Sequence, residues 1–171
     1  VNLTSFQLDH KTQIDSKWLL IQDIIDNPKP HRELSNVNLS EAYLPDVDLH
    51  NANLSNSDLS NISLCRANLI HANLEGANLR GANLANADLR NANLRRADLT
   101  DTYLVGADLR RANLSFSYLT HSRLSYAKMN YADLNGAGLL GVSLYKANLT
   151  NANLENTTLR NTNLRDANLN G

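Results

Sequence analysis

From position 34 to position 169 every fifth residue is leucine, except that Met129 takes one of the 28 places. No insertion or deletion breaks the register. A spacing of five suits neither regular secondary structure. Around an α-helix it sets successive leucines about 140° apart, so they scatter to all sides. Along a flat strand an odd spacing throws them alternately to opposite faces. The high content of Asn and Asp opposes both structures. The pattern works only if the chain turns a corner within each repeat, so that every leucine points to one shared axis.

The flanking positions fit such a chain. Two residues before the leucine, from position 37 to 167, stand only Ala, Val, Ser, Ile and Thr, with Ala in 17 of the 27 places, a second inward position with room for small side chains alone. The two residues after each leucine are the central pair of a β-turn. A type II turn needs positive φ at the second of them, which favours Gly or Asn. Six of these 28 positions are Gly and nine are Asn, so type I turns are expected at the other thirteen.

A(D/N)LXX in tandem, as in Ala72-Asn73-Leu74-Glu75-Gly76, resembles the pentapeptide-repeat family across residues 32–171. The resemblance implies an all-β solenoid: a right-handed quadrilateral β-helix with four pentapeptides per coil. Its 28 repeats then make about 7 coils stacked at about 4.8 Å, a rod of roughly 34 Å. The core is stacked leucine, each worth about 1.5–3 kcal/mol of burial before entropy is charged.

Residues 1–31 read as a separate N-terminal segment. Within it, 12–27 has the pattern of an amphipathic helix, with Thr12 or Asp15 as N-cap. Its apolar stripe runs through Ile14, Trp18, Ile21 and Ile25, widened by Leu20 and Ile24, and Pro28 and Pro30 stop it. We read this helix as a cap folded over the first coil, since the open end of a stacked β structure invites further pairing. Residues 1–11 read as an edge strand or the tail of an upstream array. A chain beginning at Val1 is taken as a fragment or a processed form. At the other end, Leu154, Leu159, Leu164 and Leu169 form a coil with no evident cap, a candidate dimer end because in related family members this end pairs.

Catalytic and metal-binding constellations do not emerge. His10, His31, His50, His71 and His121 lack metal-ligand spacing, although His50 and His71 fall near one corner a coil apart. Cys65 follows a core leucine, should point outward, and permits no intrachain disulfide. The glycines stand singly at corners, and the Asp residues spread over the faces. We therefore expect no enzyme activity, no cofactor and no metal.

Two outer features stand out. Arg90, Arg95, Arg96, Arg110 and Arg111, with Arg80 nearby, form a candidate basic ridge. Asp88, Asp98, Asp101 and Asp108 interleave, leaving only plus two over residues 80–111, so a solvated, mutually neutralised surface is favoured over a nucleic-acid ridge. The second feature is the stretch LSFSYLTHSRLSYAKMNYADL at 114–134. Its inward positions keep the rule, while Phe116, His121, Tyr126 and Tyr131 occupy four consecutive corners, all expected as type I turns. With Tyr118 and Tyr145 they make a candidate protein-interaction girdle, since exposed Tyr and Phe on a polar rod are what binding hot spots use. The competing reading is aromatic cover over neighbouring backbone.

These features imply a non-catalytic structural or scaffold module that binds another, unidentified protein through its outer surface. The alternative drawn from the family is a DNA mimic that inhibits or protects a type II topoisomerase. Such mimics carry a strongly negative surface and often Phe at the repeat centre. Here the net charge is −1 and every centre is Leu or Met, which disfavours that role and direct nucleic-acid binding. No apolar run approaches a membrane span. The Leu-centred repeat behind an IDSKW-type helix resembles arrays abundant in cyanobacteria. Cytoplasm is favoured over lumen, periplasm or tethering to a membrane protein.

Overall fold

The computed structural model describes residues 16–171. One helix, α1 (Ser16–Asp26), precedes the repeats. From Glu33 onward every β-bridge is parallel and joins a residue to its counterpart four repeats further on, as in Asn38↔Asp58 and Tyr118↔Gly138. Four repeats therefore complete one turn of the chain, and the 28 repeats stack as seven coils. Each side of the square is too short to count as a strand. Its single bridging residue is the one before each leucine.

Three backbone bonds per repeat tie neighbouring coils. The leucine N–H donates to the next coil (Leu34 N to Asn53 O, 2.7 Å), and the bridging N–H donates to the previous one (Asn53 N to Arg32 O, 2.8 Å). The corner contributes the third, as when Phe116 N donates to Asn135 O at 2.9 Å. Most corners are closed by a bond from the residue after the turn to the leucine carbonyl, such as Ala42 N to Leu39 O at 3.1 Å.

At every corner the second turn residue has positive φ, and no first turn residue does. All corners are thus type II, which corrects the expectation of type I turns at the thirteen corners lacking Gly and Asn. Phe116, His121, Tyr126 and Tyr131 have φ of 59–61°, like their neighbours. The reason lies in the stack. The Ser115 carbonyl accepts from Arg96 N at 3.0 Å, while the Phe116 N–H donates forward at 2.9 Å. A type I turn flips this central peptide and breaks both ladder bonds, so the ladder imposes one turn type on every residue.

Inside the rod, the leucines and the small residues two before them are almost wholly buried from Leu34 to Leu149, apart from half-buried Val37 and Val47 in the first coil. Most hydroxyls at the small position find backbone acceptors: Ser57 Oγ donates to Leu34 O at 2.6 Å and Thr102 Oγ1 to Leu79 O at 2.9 Å. The residue before the leucine is most often Asn or Asp for a further reason. Its side-chain oxygen accepts the N–H two residues on, as from Ser40 to Asn38 (2.9 Å) and Thr100 to Asp98 (3.0 Å), pinning the start of each turn. Up the stack, side-chain amides link into ladders such as Asn93 to Asn73 to Asn53 to Glu33.

The helix covers the first coil, but on a different stripe from the expected one. Ile21 and Ile24 are buried and Leu20 packs beside them, whereas Trp18 and Ile25 are half exposed. At about 100° per residue, Trp18 and Ile25 lie about 70–90° from the midline of the Ile21–Ile24 face and so fall on its rims. Thr12, Asp15, Ile14 and residues 1–11 lie outside the described residues.

Arg32 locks the helix down. It fills the inward position of the first repeat with its side chain 4% exposed, and its guanidinium donates to the Asp23 carboxylate (2.7 Å), the Asp23 carbonyl (2.8 Å) and the Asn27 carbonyl. A cation thus meets carbonyls at the negative, C-terminal end of α1. This arginine, and the hydrogen bond from Asn27, hold the Asp23 carboxyl below its ordinary value.

Candidate interaction surface

The outer surface is organised by columns, one for each outward position of the coil, in which every residue stands beside its counterpart in the next coil, as Asn53 beside Asn73. Phe116, His121, Tyr126 and Tyr131 are second turn residues on four different corners, so they face four directions. They encircle the rod without forming one continuous patch. All four are exposed, as is Tyr118 on the side between two corners.

Two of the four rings lie down along the stack. A Cβ added to Gly136 would stand 2.8 Å from the Phe116 ring, and one added to Gly141 would stand 2.5 Å from His121 Nδ1. Each ring occupies the space that the glycine one coil on leaves empty. These two rings lie against the backbone of the next coil. The sequence signal is the pairing of a bulky corner with a glycine at the same corner of the next coil.

The tyrosines behave otherwise. Tyr126 and Tyr145 make an edge-to-face pair, with centroids 5.6 Å apart and planes at 84°. Lys146 Nζ lies 5.2 Å from the Tyr145 centroid and 6.0 Å from that of Tyr126, while Arg165 approaches Tyr145 at 6.0 Å. On the adjoining side Arg123 stacks over Tyr103 at 4.8 Å, the shortest of these cation–ring contacts. Tyr103 and Arg123 were not among the sequence candidates. They occupy one column on successive coils, which is the signal that pairs them.

The arginine ridge is largely neutralised, as the interleaved acids imply. Arg90 and Arg110 grip Asp88 and Asp108 with two nitrogens each, at 2.7–2.8 Å and 2.6–2.8 Å for the shortest contacts. Burial pushes the Asp108 carboxyl up, but bonds from Arg110 outweigh it and leave the carboxyl below its ordinary range. The same contacts raise the pKa of both arginines. Arg95 binds Glu75 at 3.2 Å and lies 5.7 Å from the Phe116 ring; Arg111 lies 5.7 Å from Tyr131. Arg96, like Arg111, is a corner residue with positive φ.

The remaining candidates are placed as follows. Leu159 and Leu169 are exposed, and Leu154 and Leu164 half-buried, in the last described coil. His50 bonds Asp48 at 2.8 Å and its ring meets that of His31, with centroids 6.4 Å apart. Among the described residues no group of His, Cys, Asp or Glu could hold a metal ion. Cys65 is half-buried beside Arg66. No described helix is long and apolar enough to cross a membrane.

The coil register of leucine-centred pentapeptides has a counterpart in a family model. The model for pentapeptide repeats matches in 8 copies, over residues 33–69, 62–101, 102–139 and 143–171. The chain belongs to the pentapeptide-repeat family. Solved pentapeptide-repeat structures resemble it. One from Nostoc is 40% identical over 44% of this chain, which spans 62% of that protein, with a TM-score of 0.43. HetL, also from Nostoc and involved in heterocyst differentiation regulation, is 24% identical over 91% of this chain and 97% of its own, with a TM-score of 0.29. QnrB1, a plasmid-mediated fluoroquinolone resistance protein, is 20% identical over 83% of this chain and 79% of its own, with a TM-score of 0.40. Among curated proteins none matches. The family model carries the membership.

Proposed function

We propose that this pentapeptide-repeat chain is a non-catalytic scaffold whose outer surface binds another protein. Pentapeptide-repeat proteins in general serve as structural modules without catalysis, and related members act through protein–protein contacts. The observation that carries the reading is local. In one coil three large aromatics and a histidine take the second turn position, where every residue has positive φ. Bulky side chains are disfavoured in that conformation, and strained residues gather where function needs them. The core beneath keeps the repeat's rule, with Met129 for Leu its one exception among the centres, so the departure lies mainly at the surface.

The exposed cations argue against the DNA-mimic alternative, since a mimic needs a continuous negative face. Addition of the chain to a gyrase supercoiling reaction is expected to leave the rate unchanged. The test of the main reading is affinity capture from a cyanobacterial lysate with the wild-type chain and with Tyr118→Thr/Tyr126→Asn/Tyr131→Asn. These replacements already occupy the same columns, at Thr158, Asn86 and Asn151. Loss of a specific captured protein in the variant is expected; an identical capture profile removes these aromatics from the interface.

A further inference from the structure

From the cation–ring contacts on one corner and its adjoining side, we infer that the strip formed by Tyr103, Arg123, Tyr126, Tyr145, Lys146 and Arg165 is a docking surface for an acidic peptide segment of a partner protein. This rests on the protein-binding reading above and names where the partner binds and what chemistry it presents.

The strip differs from the carboxylate-bound arginines of the rod in how its cations are held, and from Arg111, which also lies over a ring, in gathering three such cations on successive coils. Arg66, Arg90 and Arg110 are each bound to a carboxylate through two nitrogens. Among the described residues, by contrast, neither Arg123 nor Lys146 has an ion-pair partner, and Arg165 meets only Asp166, at 3.8 Å. Their cationic groups rest over tyrosine rings instead. A ring desolvates one face of a cation without neutralising it, leaving N–H donors directed outward. A carboxylate arriving there gains charge-assisted bonds that are already satisfied inside the protein at Arg90 and Arg110. A side-chain hydrogen bond with Tyr145 raises the Lys146 pKa, with a smaller contribution from Asp166.

The layout suits an extended chain. Arg123, Lys146 and Arg165 belong to three successive coils, so they span about 10 Å along the rod, roughly the length of three or four extended residues. Exposed Tyr103 and Tyr126 offer apolar surface and hydroxyls beside that track. Paired hydroxyls of Ser125 and Ser143, 3.0 Å apart, lie between the two tyrosine–cation groups. Nucleic acid is a poorer fit. It needs a run of phosphate contacts, and this strip offers three cations with Asp166 among them.

The test is an NMR titration of the isotopically labelled full chain with three probes. These are a ten-residue Asp/Glu-rich peptide containing one Tyr, its Asn/Gln counterpart, and a ten-nucleotide single strand. The acidic peptide is expected to shift the amides of residues 103, 123, 126, 145 and 146, with affinity that falls as salt rises. Arg123→Ser/Lys146→Asn, which uses residues native to those columns, should weaken it by about tenfold or more, while Arg90→Thr/Arg110→Thr leaves it unchanged. Equal binding of the neutral peptide, tighter binding of the oligonucleotide, shifts centred on Arg90 and Arg110, or no shifts at millimolar peptide would each overturn the assignment. The Ser/Asn double variant is also run through the capture experiment. Retained capture alongside failed peptide binding overturns the acidic strip alone and leaves the protein-binding reading standing.

Discussion

The Phe116 ring lies over Gly136, the residue one coil further along its column, at a spacing that leaves 2.8 Å between the ring and any Cβ placed there. Gly136 also has φ +69°. The glycine is therefore fixed twice, by the ring above it and by the turn it completes. Gly136→Ala should cost roughly 1–3 kcal/mol, part from the left-handed backbone and part from displacing the ring. In a Phe116→Gly background only the backbone part remains, so a double-mutant cycle by chemical denaturation should yield a clear coupling. Simple additivity of the two changes would show that the ring yields without cost.

Bulky corner residues carry a stability penalty that Asn avoids. Tyr131→Asn, at φ 61°, removes an exposed ring and substitutes a residue that tolerates this conformation. We expect stability to stay level or rise by up to about 1 kcal/mol, even where partner binding falls. A fall in stability of similar size would mean that the cation–ring contact with Arg111 outweighs the backbone relief.

Coil stacking makes core substitutions position-dependent. Leu84 is fully buried in mid-rod, whereas Leu169 is 48% exposed. Leu84→Ala should cost about 2–5 kcal/mol, and Leu169→Ala less than about 1 kcal/mol. Denaturant melts of the two variants provide the check.

Arg32 should hold the helix rather than the rod. Arg32→Ala removes the donors on the Asp23 and Asn27 carbonyls, so amide exchange in Ser16–Asp26 should quicken by at least about tenfold while mid-rod amides keep their protection. Uniformly faster exchange throughout would instead mean that cap and rod unfold as one unit.

The same contact sets a pH dependence. The Asp23 carboxyl is lowered by Arg32 and Asn27, so its folded pKa lies below the unfolded one. Its contribution is full above the unfolded carboxylate value of about 4 and is lost as pH falls through the lower, folded value. Acidification through that range should raise helix amide exchange in the wild type, and Arg32→Ala should flatten the response.

Much of this molecule was legible in order along the chain. The leucine at every fifth place and the small residue two before it set the inward register, because no other arrangement buries them together. The Asp residues between Arg80 and Arg111 announced a neutralised ridge, because opposite charges two positions apart, such as Asp88 and Arg90, share one side of a coil. The helix over the first coil was legible in type but not in facing: Trp18 and Ile25 fit the periodic stripe equally well, and only contact with the coil selected Ile21 and Ile24.

What the tertiary structure decided concerns relations between successive coils and around the square. Phe116 looked suited to a type I turn by its own preference, yet the bonds to Arg96 and Asn135 made it type II, because a stacked ladder admits one peptide orientation. Four consecutive corner aromatics looked like one girdle, yet a square section turns them to four sides and leaves only the Tyr126–Tyr145 pair in ring contact. Arg123 and Tyr103 drew no notice in the sequence and became the closest cation–ring pair, because stacking places the same position of successive coils side by side. The repeat determines the core because each inward side chain obeys a local rule. The surface is decided by the stack, since each outward side chain takes its neighbours from the coils above and below.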